Sequence, residues 1–389
     1  MQSVLLNWPA STFSGWGIVG LNLFLHWAND PDIRPLLGGP ITEQEVAGTD
    51  PLKIIACREA IIRSNQFQNE LRRVQAGSRQ LPMPVMEGLG NGLFRPGMLR
   101  GTRSIGRAIF EDTNLTGLEE KLAAFDMLLC ASHWNAELLR ANCSKPVEIV
   151  FEGIDPSQFH PAPKSGVLDK SRFYIFSGGK VEFRKGHDLT LLAFREFSRR
   201  HDDAVLVTVW HSPWPQLSAG FQGKLDVPLE LTAQGVIDVR NWVMRNGVDP
   251  AKIVEIGQIP NAMMPALLRE MDCALAPSRA EACTNLLAKE AMACGVPVIL
   301  AANTGVRDLI AEGNCLALTH QAPVRDYAHA GTEGWGESDV DEIVAALERL
   351  YTDAALRKQI GKTSPDWLVR EGRTWSNHAR GVKSLLLSL

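Results

Sequence analysis

A chain of 389 residues is longer than one hydrophobic core usually supports, so two domains of roughly 150–200 residues each are expected. Hydrophobic residues make up 45% and charged residues 22%, an ordinary globular balance that excludes disorder and fibre. A net charge of −4 provides no global basic field, which argues against nucleic acid as a partner.

The first residues carry no basic region, and no stretch approaches eighteen uninterrupted apolar residues, so neither a secretory leader nor a membrane span is expected. Cys57, Cys130, Cys143, Cys273, Cys283, Cys294 and Cys315 are scattered and never spaced as Cys-x-x-Cys, a pattern that reads as reduced, cytoplasmic and zinc-free. An apolar, β-prone run at 4–8 leads through a Ser-, Gly- and Thr-rich loop to an amphipathic helix at 18–28. Within that passage Gly15-Trp16-Gly17-Ile18-Val19-Gly20 has the Gly-x-Gly-x-x-Gly form, which alone suggests a dinucleotide and an oxidoreductase. Against that, the loop 9–14 is long, and no acid ends a clear second strand about twenty residues on. Between 72 and 107 lie Arg72, Arg73, Arg79, Arg95, Arg100, Arg103 and Arg107 against the single acid Glu87. Such a basic face could meet an anionic membrane or a phosphorylated acceptor, or could simply be solvated.

Further strands are expected at 127–130 and 147–150, and the polar, Pro-rich stretch 155–166 is the expected boundary between domains at 1–160 and 161–368. Beyond it come strands at 173–176, 204–209, 253–256, 273–276 and 296–300, with helical patterns at 189–199, 265–270 and 286–294 between them. The strand runs are continuous rather than alternating, as strands covered on both faces must be. Strands alternating with helices imply parallel, doubly wound α/β sheets.

The strand at 173–176 is followed by Ser177-Gly178-Gly179-Lys180-Val181-Glu182-Phe183-Arg184-Lys185-Gly186, which places glycines and cations where parallel sheets bind ligands. Two cations on a glycine turn can neutralise a diphosphate; a solvated basic turn is the plain alternative. The strand at 273–276 runs into a loop holding Glu281, then Thr284 or Asn285 caps a helix that carries Glu290. Unpaired amides at that helix start, aided by its dipole, suit phosphate oxygens, and carboxylates on either side can accept from sugar hydroxyls. No metal site is expected: Asp30-Pro31-Asp32 and Asp339-Val340-Asp341 have Asp-x-Asp form, but neither follows an apolar strand. His133 at a helix start reads as structural or as a sugar contact, and Trp210 and Trp214 after the strand at 204–209 could stack on a ligand or pack a loop.

The run Glu281 to Val298, including Glu290-Ala291-Met292-Ala293-Cys294-Gly295-Val296-Pro297-Val298, resembles the Glu-x7-Glu motif of the retaining GT-B glycosyltransferases of family 4, the glycosyl transferases group 1. Here Glu281 and Glu290 enclose eight residues rather than seven, with the extra one around Cys283-Thr284-Asn285. Lys180 and Lys185 resemble that family's Gly-Arg…Lys-Gly element, with Lys180 where arginine is commoner. In order along the chain, Glu111-Asp112-Thr113, Ser132-His133-Trp134, Gly153-Ile154-Asp155…Phe159-His160-Pro161 and Trp375 are similar to further family segments. The resemblance implies two Rossmann-like domains facing each other across a cleft, with a C-terminal segment 369–389 packing back on the first. It implies a metal-independent, retaining transfer of a sugar from a nucleotide diphosphate sugar to a saccharide, lipid-linked or protein acceptor, with no cofactor. By the same resemblance Lys180, Lys185 and Glu281 are catalytic, and donor binding extends to Gly15, Gly17, Gly179, Cys283, Thr284, Asn285, Leu286 and Glu290. An epimerase of the same fold, or a catalytically silent binding subunit, are the alternatives it leaves.

Overall fold

The structure, a computed structural model of the chain, describes residues 1–73, 79–93, 99–325, 327 and 330–388. The first lobe is built on six parallel strands in the order β2-β1-β3-β4-β5-β6. These are β1 (Gln2–Asn7), β2 (Ile33–Leu37), β3 (Val85–Leu89), β4 (Ser104–Ala108), β5 (Met127–Cys130) and β6 (Val147–Ile149). Val4, Leu5 and Leu6 are fully buried, as a central strand covered on both faces requires. β2 closes one edge and accommodates Pro35 opposite Val4, because an edge strand can spare the N–H that proline lacks.

The second lobe holds another six parallel strands: β7 (Phe173–Lys180), β8 (Ala204–His211), β9 (Ile253–Glu255), β10 (Cys273–Ala276), β11 (Val298–Ala301) and β12 (Leu316–Leu318). Their order, β9-β8-β7-β10-β11-β12, reverses between β7 and β10. A crevice opens at the carboxyl ends of the strands where such an order reverses. In the first lobe the reversal lies between β1 and β3, where Asn7 Nδ2 donates to both oxygens of the buried Glu87 at 2.9 and 3.0 Å.

The helices that matter for the site are α1 (Gly15–Trp27), α2 (Arg58–Arg73), α3 (His133–Asn142), α4 (His187–Ser198), α5 (Leu286–Ala293) and α6 (Trp375–Ser388). The last returns to the first lobe: Trp27 Nε1 donates to the Ala379 carbonyl at 3.2 Å, and Trp375, Ala379, Val382 and Leu386 join the core around Val4, Phe24 and Trp27. The chain therefore crosses between lobes twice, and the crossings touch where Ile154 pairs with Thr374. A Cβ on Gly153 would lie 2.0 Å from the Thr374 carbonyl carbon, so only glycine fits between them.

Several expectations need correction. The strand expected at 173–176 continues to Lys180, because Gly178, Gly179 and Lys180 stay in register with Val209, Trp210 and His211 of β8. Gly15, Gly17 and Gly20 lie inside α1 rather than in a loop before it, since Ser14 caps that helix by accepting from Gly17 N. The helix expected at 265–270 is the short Met264–Leu268, and the strand expected at 296–300 starts only after Pro297. Of the arginines between 72 and 107, Arg107 is 1% exposed and bonded to Glu152, so it forms no part of a surface face. Arg95 lies outside the described residues. No helix among the described residues is long and apolar enough to cross a membrane.

Candidate functional site

Two loops meet at the crevice of the second lobe. The first leaves β7 through Gly179 at φ +122°, makes a tight turn over Phe183–Lys185, and enters α4 through Gly186 at φ +69°. Both angles favour glycine. A Cβ on Gly186 would come 2.2 Å from the Pro277 carbonyl oxygen in the second loop, the one that follows β10. The Arg184 carbonyl accepts from Arg279 N at 2.7 Å and Ala280 N at 3.2 Å, so the two loops are joined by main-chain bonds as well as by shape.

This junction brings Lys185 and Glu281 together. Lys185 Nζ lies 2.8 Å from each Glu281 oxygen, and Arg184, Ser278 Oγ and Asn285 Nδ2 also donate to that carboxylate, at 3.2, 2.7 and 2.9 Å. Burial would push the Glu281 carboxyl up, but Lys185 and Arg184 outweigh it and hold it below the ordinary glutamate range. Arg184 binds two further carboxylates, Glu182 at 2.7 Å and Glu111 of the first lobe at 3.1 Å, while Lys180 Nζ lies 2.8 Å from Glu182. Three cations and three carboxylates thus form one chain across the cleft. Lys180 and Lys185, expected to face a diphosphate, are here paired with carboxylates; Arg184, Glu182, Ser278 and the pairing of Glu111 were not legible in sequence.

Asn285, not Thr284, caps α5, its Oδ1 accepting from Ala288 N at 3.2 Å. It does so at φ +52°, a conformation that asparagine tolerates better than most residues. The cap aims the first-turn amides of α5 beside Glu281. Asn285→Ala removes the cap and keeps the strain, and is expected to cost about 1–2 kcal/mol in chemical denaturation, with Asn285→Gly losing less. Thr284 Oγ1 accepts from the buried Lys289 at 3.3 Å, whose ammonium is lowered to about 8 by burial against the opposing pull of Glu152. Burial raises the Cys283 thiol well above its ordinary value, so it is no ready nucleophile. Leu286 packs against the core of the first lobe.

Glu290, one turn further along α5, bonds to a different loop. It is 1% exposed, its Oε1 accepts from Asn261 Nδ2 at 2.5 Å, and its Oε2 has no partner among the described residues. Burial raises its carboxyl from 4.5 to about 8. Between those values the folded chain holds a proton that the unfolded chain has lost, so stability falls as pH rises from about 4.5 to 8 and levels off above. Glu290→Gln cannot titrate and is expected to flatten that limb; thermal midpoints of both proteins from about pH 5 to 9 check this, and parallel curves would sink the assignment.

The first lobe supplies the opposite wall. Asn261 N donates to the Thr12 carbonyl at 2.8 Å and Gln258 Nε2 to the Phe13 carbonyl at 2.9 Å, which lays loop 9–14 against the second lobe. Gly17 permits a close approach, since its Cβ would meet Ser11 Cβ at 2.4 Å, whereas the space beside Gly15 is open. His133 donates from its main chain to Asp308 at 2.7 Å and its ring pairs with the same carboxylate at 2.8 Å, while Ser132 Oγ donates to the Ala282 carbonyl at 2.6 Å. His133 therefore ties the lobes together. Trp210 is buried and bonded to Ser177, whereas Trp214 is 56% exposed with its ring 5.3 Å from Lys180 Nζ. Both Asp-x-Asp sequences have structural partners: Asp30 binds Lys383, and Asp339 caps the helix Val340–Thr352. Among the described residues no group of three or more His, Cys, Asp or Glu side chains is arranged to hold a metal ion.

The family described as Glycosyl transferases group 1 matches residues 172–353. Over 211 residues the chain is 28% identical to a D-inositol 3-phosphate glycosyltransferase of Segniliparus rotundus, covering 52% of this chain and 40% of that one. Over 241 residues it is 24% identical to one from Pseudarthrobacter chlorophenolicus, covering 60% and 47%. The matched region thus spans less than half the length of these curated relatives. Among solved structures, sucrose-phosphate synthase from Thermosynechococcus elongatus superimposes with a TM-score of 0.63 at 13% identity, over 100% of this chain and 99% of that one. Anabaena HepE in complex with UDP-glucose gives 0.64 at 12% identity over 100% of both. These likenesses establish a GT-B fold along the whole chain.

Proposed function

From a second lobe that matches the glycosyl transferases group 1 within a GT-B fold, we propose that the protein transfers a sugar from a nucleotide diphosphate sugar to a saccharide, lipid-linked or protein acceptor, without a metal and with retention at the anomeric carbon. Residues 161–368 hold the donor, residues 1–160 face the acceptor, and 369–389 tie the two. Lys180 and Lys185, with the first-turn amides of α5, hold the diphosphate and stabilise the charge that develops as it leaves. Glu281 orients the sugar, and Glu290 meets the ribose hydroxyls. The observation that carries the reading is the joining of Lys185, Glu281 and the capped start of α5 at the point where the strand order of the second lobe reverses.

Anabaena HepE holds UDP-glucose, which makes uridine nucleotides the first probes. Thermal unfolding with UDP, GDP, ADP and their glucose conjugates is expected to show one base series raising the midpoint by several degrees; a ligand at a hundred times its Kd adds about 2.7 kcal/mol. Release of sugar from the matching donor should follow. No shift with any nucleoside diphosphate would overturn the reading.

A further inference from the structure

The cation cluster is already neutral before any nucleotide arrives. Lys180, Arg184 and Lys185 face Glu111, Glu182 and Glu281, one carboxylate per cation. An anionic diphosphate entering this cluster must take cations away from carboxylates. Glu281 is locked in place by Ser278, Asn285 and Lys185, and Glu111 sits on the other lobe. Glu182 is different. Its two oxygens bridge Lys180 Nζ at 2.8 Å and Arg184 Nε at 2.7 Å, the spacing and charge that a phosphate group would present to the same pair. Its side chain makes no capping bond in the turn that follows, and it is 31% exposed, so it can swing into solvent without unmaking the loop.

We propose that Glu182 is a built-in counter-ion that competes with the nucleotide's phosphates for Lys180 and Arg184 and so sets how tightly the donor is held and how fast the nucleoside diphosphate leaves. The inference rests on the proposed placing of the diphosphate at Lys180. Against the desolvation that would raise it, Arg184 and Lys180 hold the Glu182 carboxyl down at about 2, so it is charged around neutral pH. Displacing it takes back part of what the phosphates gain. Product release limits turnover in many enzymes, and a returning carboxylate that re-pairs with the cations favours that step.

The test is UDP and GDP binding by calorimetry to the wild-type chain, Glu182→Gln and Glu182→Ala, with dissociation followed by stopped flow. The better nucleotide is expected to bind both variants more tightly, on the order of fivefold, with the gain in a slower off-rate. If Glu182 instead organises the cations for phosphate, both variants bind more weakly, and that result, or an unchanged Kd, overturns the proposal while leaving the proposed function standing. If no nucleoside diphosphate, ADP included, binds even the wild-type chain, both fall. Thermal midpoints of the variants close to wild type show that the fold is intact, and the two substitutions differ enough in size that a packing defect would not shift both Kd values in the same favourable direction.

Discussion

Lys185→Ala is expected to lower turnover at least about a hundredfold, the scale of losing one preorganised group that meets developing charge. The ammonium is largely buried and lies 2.8 Å from both oxygens of Glu281, so in the proposed reading it serves two ends, meeting the diphosphate and fixing the carboxylate proposed to orient the sugar. Truncation removes the first and loosens the second. Breaking a buried pair by deleting one partner can cost about 3–5 kcal/mol in stability, but Arg184, Ser278 and Asn285 still donate to Glu281 and limit that loss. Turnover should therefore be measured on the folded fraction, with its thermal midpoint alongside. Near-normal rates in a folded variant would reject the assignment of Lys185.

Glu290→Ala is expected to weaken nucleoside diphosphate binding about 10- to 100-fold, as the loss of one or two hydrogen bonds to a buried carboxyl group implies. Its Oε2 is buried without a partner among the described residues, an arrangement that costs free energy unless a ligand completes it. Asn261 holds the other oxygen and is itself bonded through its main chain to Thr12 of the first lobe, so the carboxyl group is fixed by both lobes. Calorimetry with the nucleotide that gives the largest thermal shift measures the change, and an unaltered affinity would remove Glu290 from the site.

The doubly wound architecture was legible because most strands are short apolar runs, and those of the second lobe, such as 204–209 and 273–276, are uninterrupted. In the first lobe, three strands resist that reading. β2 is broken by Arg34 and Pro35, which only an edge position tolerates. β3 contains Glu87 and Gly88, and β4 contains Gly106 and Arg107. Buried charges in central strands look like loops until their partners are known, and those partners, Asn7 for Glu87 and Glu152 for Arg107, are far away in the chain. Gly88 and Gly106 look like breakers, yet each makes room for a neighbour: a Cβ on Gly88 would press on the Trp16 ring, and one on Gly106 on Leu89 and Leu128.

The site divides along the same line. Lys180, Lys185, Glu281 and Glu290 are candidates that the family resemblance of their segments, placed after strand ends, singles out. What spacing does not reveal is which groups meet. Arg184 reaches Glu111 across the cleft and Asn261 reaches Glu290 from a loop 29 positions away, pairings set by the winding of two sheets. The same applies to α1, where the glycine pattern suggests a phosphate loop but Ser14 caps the helix before it and Gly17 packs on Ser11.

The most direct measurement is a crystal structure of the protein with UDP or GDP, whichever stabilises it more. The diphosphate is expected within hydrogen-bonding distance of Lys180, Lys185 and the first-turn amides of α5, with the ribose on Glu290. A nucleotide lodged instead in the first lobe, beside Asn7 and Glu87 where β1 and β3 part, would contradict it.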